Sequence, residues 1–155
     1  MSSSLMASAP SPTTSDAPVT LADGIIRTPW KPGPLDGTGN AVIVAVTDFL
    51  VTAAEDYQEV IQTGLELEKS WPVMHGSVGL WLWAKPAELR QGSVSVWERA
   101  DDLQRFVRWP VHLEIMRAWR ERGTLVADRW EAAAFVPDEA WTRVEARLRA
   151  PHASA

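Results

Sequence analysis

Apolar residues recur in two rhythms along this chain. The run AVIVAVTDFLV (41–51) is β-branched and nearly continuous, the mark of a central strand. SVGLWLWA (77–84) and SVSVWE (93–98) alternate with period two, and KPAELRQG between them suits a hairpin loop. TLVADRWEAAAF (124–135) supplies a fourth strand. Elsewhere the rhythm is helical. Tyr57, Val60, Ile61, Gly64, Leu65 and Glu68 share one face, which predicts a helix over 53–70. Thr52 and Glu55 have capping-box spacing ahead of it, and Pro72 stops it. A second helix is expected from a cap at Asp101 or Asp102 to Gly123. A short last one opens at Asp138, with Trp141, Val144 and Leu148 as its stripe.

The order strand–helix–strand–strand–helix–strand is an α+β arrangement, the ferredoxin-like βαββαβ unit. Both helices then cover one face of an antiparallel sheet. The first strand carries aliphatics on both parities (Val42, Val44 and Val46 against Ile43 and Ala45), so its other face must be buried too. A second copy of the chain would do this, and a homodimer is expected. Residues 1–38 open Ser/Pro/Thr/Ala-rich without apolar period, continue as turn chemistry, and read as a flexible arm in which Trp30 is suited to dock. Residues 39–136 form the domain, and 137–155 a C-terminal helix and tail.

Composition narrows the function classes. With 46% hydrophobic and 23% charged residues, 155 residues suit a single globular domain. A net charge of −5 leaves no broad basic surface for phosphates, so nucleic acid is not an expected partner. There is no cysteine for disulfides or thiolate metal sites, which fits a cytoplasmic location. No apolar run reaches the roughly 18 residues of a membrane span, and no basic residue precedes Arg27 to open a secretory signal. Tryptophan is the outlier: nine stand against one Tyr and three Phe. Such rings build cores, interfaces or the walls of a pocket for a flat hydrophobic small molecule.

Two features point to where such a pocket would lie. In 77–84 one parity is Ser77, Gly79, Trp81 and Trp83; in 93–97 one parity is Ser93, Ser95 and Trp97. If both sets share a face, small residues leave room there bounded by indole rings, which is either a pocket or space filled by helix side chains. On the second helix, Trp109, His112, Met116 and Trp119 recur at spacings of three and four. His112 is either a core histidine or an acid/base group, and Pro110 just before it bends or restarts the helix, freeing the carbonyl of Phe106. Asp48, on the central strand, is the carboxylate that could partner it in proton transfer. His75 and His152 have no metal-ligand spacing, and no HExxH, P-loop or GxGxxG is present.

The stretch SVSVWERADDLQRFVRWPVHLEIMRAWRERG resembles the strand-to-helix region of the dimeric α+β barrel superfamily. It is similar to uncharacterised members and to spheroidene-type carotenoid monooxygenases through Ser95, Trp97, Leu103, Phe106, His112, Met116 and Arg117. The resemblance implies a monooxygenase-like oxidoreductase. Trp81, Trp83 and Met116 would then line the substrate pocket, and Trp97, Trp109 and His112 would contact any cofactor. Haem is the candidate, since the haem-degrading branch also places a Trp on its third strand and a His on its second helix. That branch uses an Asn on its first strand, where this chain has only Asp48. A cofactor-free cyclase or lyase using His112 and Asp48, and a non-catalytic binding protein, are the alternatives.

Overall fold

The computed structural model describes residues 17–153. Three two-residue strands come first: β1 (Val19–Thr20), β2 (Ile26–Arg27) and β3 (Lys31–Pro32). The long elements follow: β4 (Val42–Val51), α1 (Tyr57–Glu68), β5 (Ser77–Lys85), β6 (Arg90–Trp97), α2 (Ala100–Arg108), α3 (Pro110–Trp119), β7 (Gly123–Ala132) and α4 (Pro137–Arg149). All pairings are antiparallel, and the main path across the sheet runs β1–β2–β5–β6–β4–β7, with β3 added beside β5. The four long strands and the helices between them make the expected ferredoxin-like unit, with β4 and β6 innermost.

Two departures from the expected elements matter. The helix predicted to 123 is two helices, because Trp109 is extended (φ −60°, ψ 131°) and Pro110 starts α3 as its first residue. The Thr52–Glu55 capping box does not form. A single 3₁₀ turn over 54–56 leads into α1, and neither it nor α1 has a side-chain cap.

Strand parity divides the sheet into two faces. Val42, Val44 and Val46 point to one, with Val94, Val96, Trp81 and Trp83 from the neighbouring strands, all buried. This outer face is covered by α4, through Trp141, Val144 and Leu148, and by the N-terminal segment, through Ile25, Trp30 and Leu35. The sequence left that face bare and assigned its burial to a second copy. Within one chain it is already closed, so the expected C-terminal helix, α4, is part of the core and the domain extends past 136.

The N-terminal arm needs the same correction for its described part. β2 and β3 pair with β5 and β1 pairs with β2, Trp30 stacks on Phe135 at 4.8 Å, and it meets Trp81 edge-on at 4.8 Å. Gly79 is small because Trp30 lies over it: a Cβ there would sit 1.9 Å from the indole. Residues 1–16 of the expected arm lie outside the described residues.

Candidate functional site

The helix-facing side of the sheet is packed at its two ends and less completely covered between them. At one end Trp71, Leu80, Trp97 and Leu103 cluster, with Phe106 against them; at the other are Phe49, Val51, Tyr57, Val60 and Trp119. Between these clusters Thr47 and Ser93, beyond the Ala45 that packs on the first of them, remain partly exposed although they sit on the two innermost strands. The helix layer thus covers the sheet incompletely there, over a small, hydroxyl-bearing floor, and this partly covered stretch is called the cleft.

Local backbone chemistry builds that floor. Regular pairing of β4 with β6 lapses between Val46 and Phe49. There the Thr47 Oγ1 accepts the Ser93 N–H at 2.9 Å, and the two hydroxyls meet at 2.8 Å. The Thr47 carbonyl accepts the Trp83 indole N–H at 3.1 Å, reached across Gly92, where a Cβ would lie 1.8 Å from that oxygen. Ser95 accepts the Trp97 indole N–H at 2.9 Å, which satisfies that buried donor.

The break between α2 and α3 positions His112. His112, Ile115 and Trp119 form the more buried stripe of α3, whose last two members join the cluster around Phe49. The His112 ring lies 4.5 Å from Phe106, which in turn meets Trp97 at 5.6 Å. His112 thus stands at the join between the two clusters. Its Nδ1 lies 3.0 Å from the Val107 carbonyl. A carbonyl only accepts, so Nδ1 carries the proton and the neutral ring keeps its lone pair on Nε2. Burial pushes the His112 pKa below its ordinary value, against an opposing pull from the Val107 carbonyl. A half-buried neutral imidazole with a basic Nε2 is equipped to take a proton near pH 7.

The other expected site residues disperse. Trp81 and Trp83 lie across from Val94 and Gly92, on the outer face, whereas Ser95 and Ser93 lie across from Leu80 and Leu82 on the helix face. The two Trp-and-small sets are therefore on opposite sides of the sheet, and no pocket unites Trp81, Trp83 and Trp97. Asp48 is also on the outer face, where Arg90 grips both carboxylate oxygens at 3.2 and 2.6 Å. His152 Nε2 approaches the Asp48 carbonyl at 3.0 Å. The sheet separates Asp48 from α3, so Asp48 and His112 form no pair. Met116 points away from the inner stripe and is 37% exposed. Trp109 turns away from the His112 stripe because the chain is extended at that residue. It lines a surface groove of about 940 Å³ between residues 70–75 and α2, together with Met74, Phe106 and Arg108. The Thr47–Ser93 pair was missed, because only cross-strand register reveals that the two hydroxyls meet.

No protein-family model and no curated protein matches the sequence. Solved structures do. A proposed monooxygenase from Fusobacterium nucleatum superposes with a TM-score of 0.55 at 12% identity, over 72% of this chain and 51% of that one. A proposed antibiotic-biosynthesis monooxygenase from Deinococcus radiodurans gives 0.53 at 14% identity, over 60% and 95%. A Bacteroides thetaiotaomicron protein of unknown function, suggested to be an oxidoreductase, gives 0.53 at 13% identity, over 60% and 99%. The architecture is the ferredoxin-like α+β fold that these solved structures share. At these identities the likeness establishes architecture, and chemistry has to come from the residues.

Haem fits the residues around His112 poorly. An axial ligand needs an open face at Nε2 and space for a macrocycle, yet the groove of that size is lined by His75 and not by His112. Among the described residues no group of three or more His, Cys, Asp or Glu is placed to hold a metal ion. No helix there is long and apolar enough to cross a membrane.

Proposed function

We propose that this chain is a monooxygenase-like oxidoreductase that takes a flat hydrophobic small molecule into the cleft between helices and sheet. The observation that carries the reading is the oriented His112, whose Nδ1 is held at the Val107 carbonyl, leaving Nε2 as the base where the helix-side packing divides. In this proposal Nε2 takes a proton from an activated CH₂ of the substrate, and the resulting anion reacts with dioxygen. One oxygen atom ends as a carbonyl on that carbon and the other leaves as water. The two hydrogens of the water are those of the CH₂, so no separate reductant is required. Thr47 and Ser93 supply hydroxyls to hold a polar edge of the substrate, while Phe106 and Ile115 contact its flat face.

The cyclase or lyase alternative needed Asp48 beside His112, and its second proton carrier is on the wrong side of the sheet. Oxygen uptake on addition of flat hydrophobic substrates bearing an activated CH₂ tests the proposal. His112→Gln should then lower kcat by about 10²–10⁴-fold without unfolding the protein. Product formation without oxygen uptake would overturn it.

A further inference from the structure

The groove between residues 70–75 and the α2–α3 break shares one wall with the cleft. That wall is Phe106. Its ring lines the groove, yet it also contacts Trp71 at 5.2 Å, Trp97 at 5.6 Å and His112 at 4.5 Å. The groove is apolar where Met74, Trp109 and the 82% exposed Val73 meet. Its charges are separated along α2. Asp102 is buried and paired with Arg105 at 3.0 Å, near the helix start. Arg108, at the far end beside Trp109, has no ion-pair partner among the described residues. Seven residues of helix place it about 10 Å from Asp101. An aromatic ring laid on Trp109 and Phe106 would therefore carry a negative group to Arg108.

We propose that this groove binds flat aromatic acids and that Phe106 is the gate through which they reach His112. The placement rests on the cleft reading above for its destination, but the groove itself is tested by binding alone. The extended residue Trp109 and the fresh start at Pro110 let the end of α2 adjust without bending α3, and Phe106 sits one turn before that joint.

The probe is 1-anilinonaphthalene-8-sulfonate, a flat aromatic anion, titrated into the full chain and read by its own fluorescence and by energy transfer from tryptophan. One saturable site is expected. Arg108→Gln and Val73→Glu, both surface changes, should each weaken it about fivefold or more. Diethylpyrocarbonate modification followed by peptide mapping reads the gate: the probe should slow modification of His112 at least threefold, and Phe106→Leu should speed it in the absence of probe. If Phe106→Leu does not fold, probe protection of His112 in the unaltered protein decides the matter. Binding indifferent to both groove substitutions, or His112 modification indifferent to probe, overturns the proposal. Groove binding and gating without any oxygen uptake would instead sink the oxygenase reading and leave this one standing.

Discussion

In an unbroken helix the Val107 carbonyl would accept the N–H of Val111. Here Pro110 restarts the helix, and that oxygen meets His112 Nδ1 instead. One proline thus fixes the tautomer of the one histidine that bridges the two clusters. The sequence pointed to Pro110 and His112 together, although the carbonyl it expected to be freed was that of Phe106, which accepts the Trp109 N–H at 3.1 Å. Because burial lowers the His112 pKa, the ring is neutral at pH 7, and its basic form is lost only as pH falls through a value below the ordinary range of about 6.5. Activity should therefore fall on an acid limb below that range, and His112→Gln should abolish the limb together with the rate. A limb that persists in the variant belongs to another group. Asp48 gives the contrasting case. It is buried against Arg90, so Asp48→Asn should cost about 3–5 kcal/mol in urea unfolding and leave the position of the limb unchanged. A variant of unaltered stability and lost activity would return Asp48 to the reaction.

At the level of elements, hydrophobic rhythm located the long strands, α1 and α4 to within a few residues and merged α2 with α3, yet it misjudged which strand residues share a face. The reason is the hairpin loop. Four residues separate Lys85 from Arg90, so odd positions of β5 lie across from even positions of β6, and Trp81 faces Val94 rather than Ser93 or Ser95. One residue more or fewer would have produced the shared Trp face that the pattern allowed. The two-residue strands near the N-terminus were illegible for a different reason: they are too short to show a period, and Pro and Gly around them read as turns. Their contribution comes from Ile25 and Trp30 sealing the outer face. Gly79→Val would expel Trp30 from its place, and removing residues 1–38 would strip the same cover. Each should lower the melting temperature by well over the few degrees that about 1 kcal/mol produces. An unchanged melting temperature would restore the view of this segment as an arm.

For the whole molecule, what matters is which apolar surface remains after one chain has folded. The outer sheet face, the obvious surface for a second copy, is closed by α4, and the end of α4 and the residue after it are fastened down. Lys85 Nζ donates to the Leu148 carbonyl at 2.8 Å, and Arg90 donates to the Ala150 carbonyl at 3.0 Å. These cations are themselves buried on the sheet, so releasing α4 would leave their charges and the Val42–Val46 stripe facing water together. The remaining sheet edge, β7, carries Asp128, Arg129 and Glu131, charges that discourage strand-to-strand association. The exposed aliphatics on α3 and β7, among them Val111, Leu113 and Leu125, are each only about two-fifths exposed. Light scattering at micromolar concentration should therefore give the mass of one chain, 17.1 kDa. Val144→Glu should unseat α4 from a fully buried position and drive association through the uncovered face. A stable two-chain mass for the unaltered protein would overturn this account and show that partners meet through a surface other than the one α4 occupies.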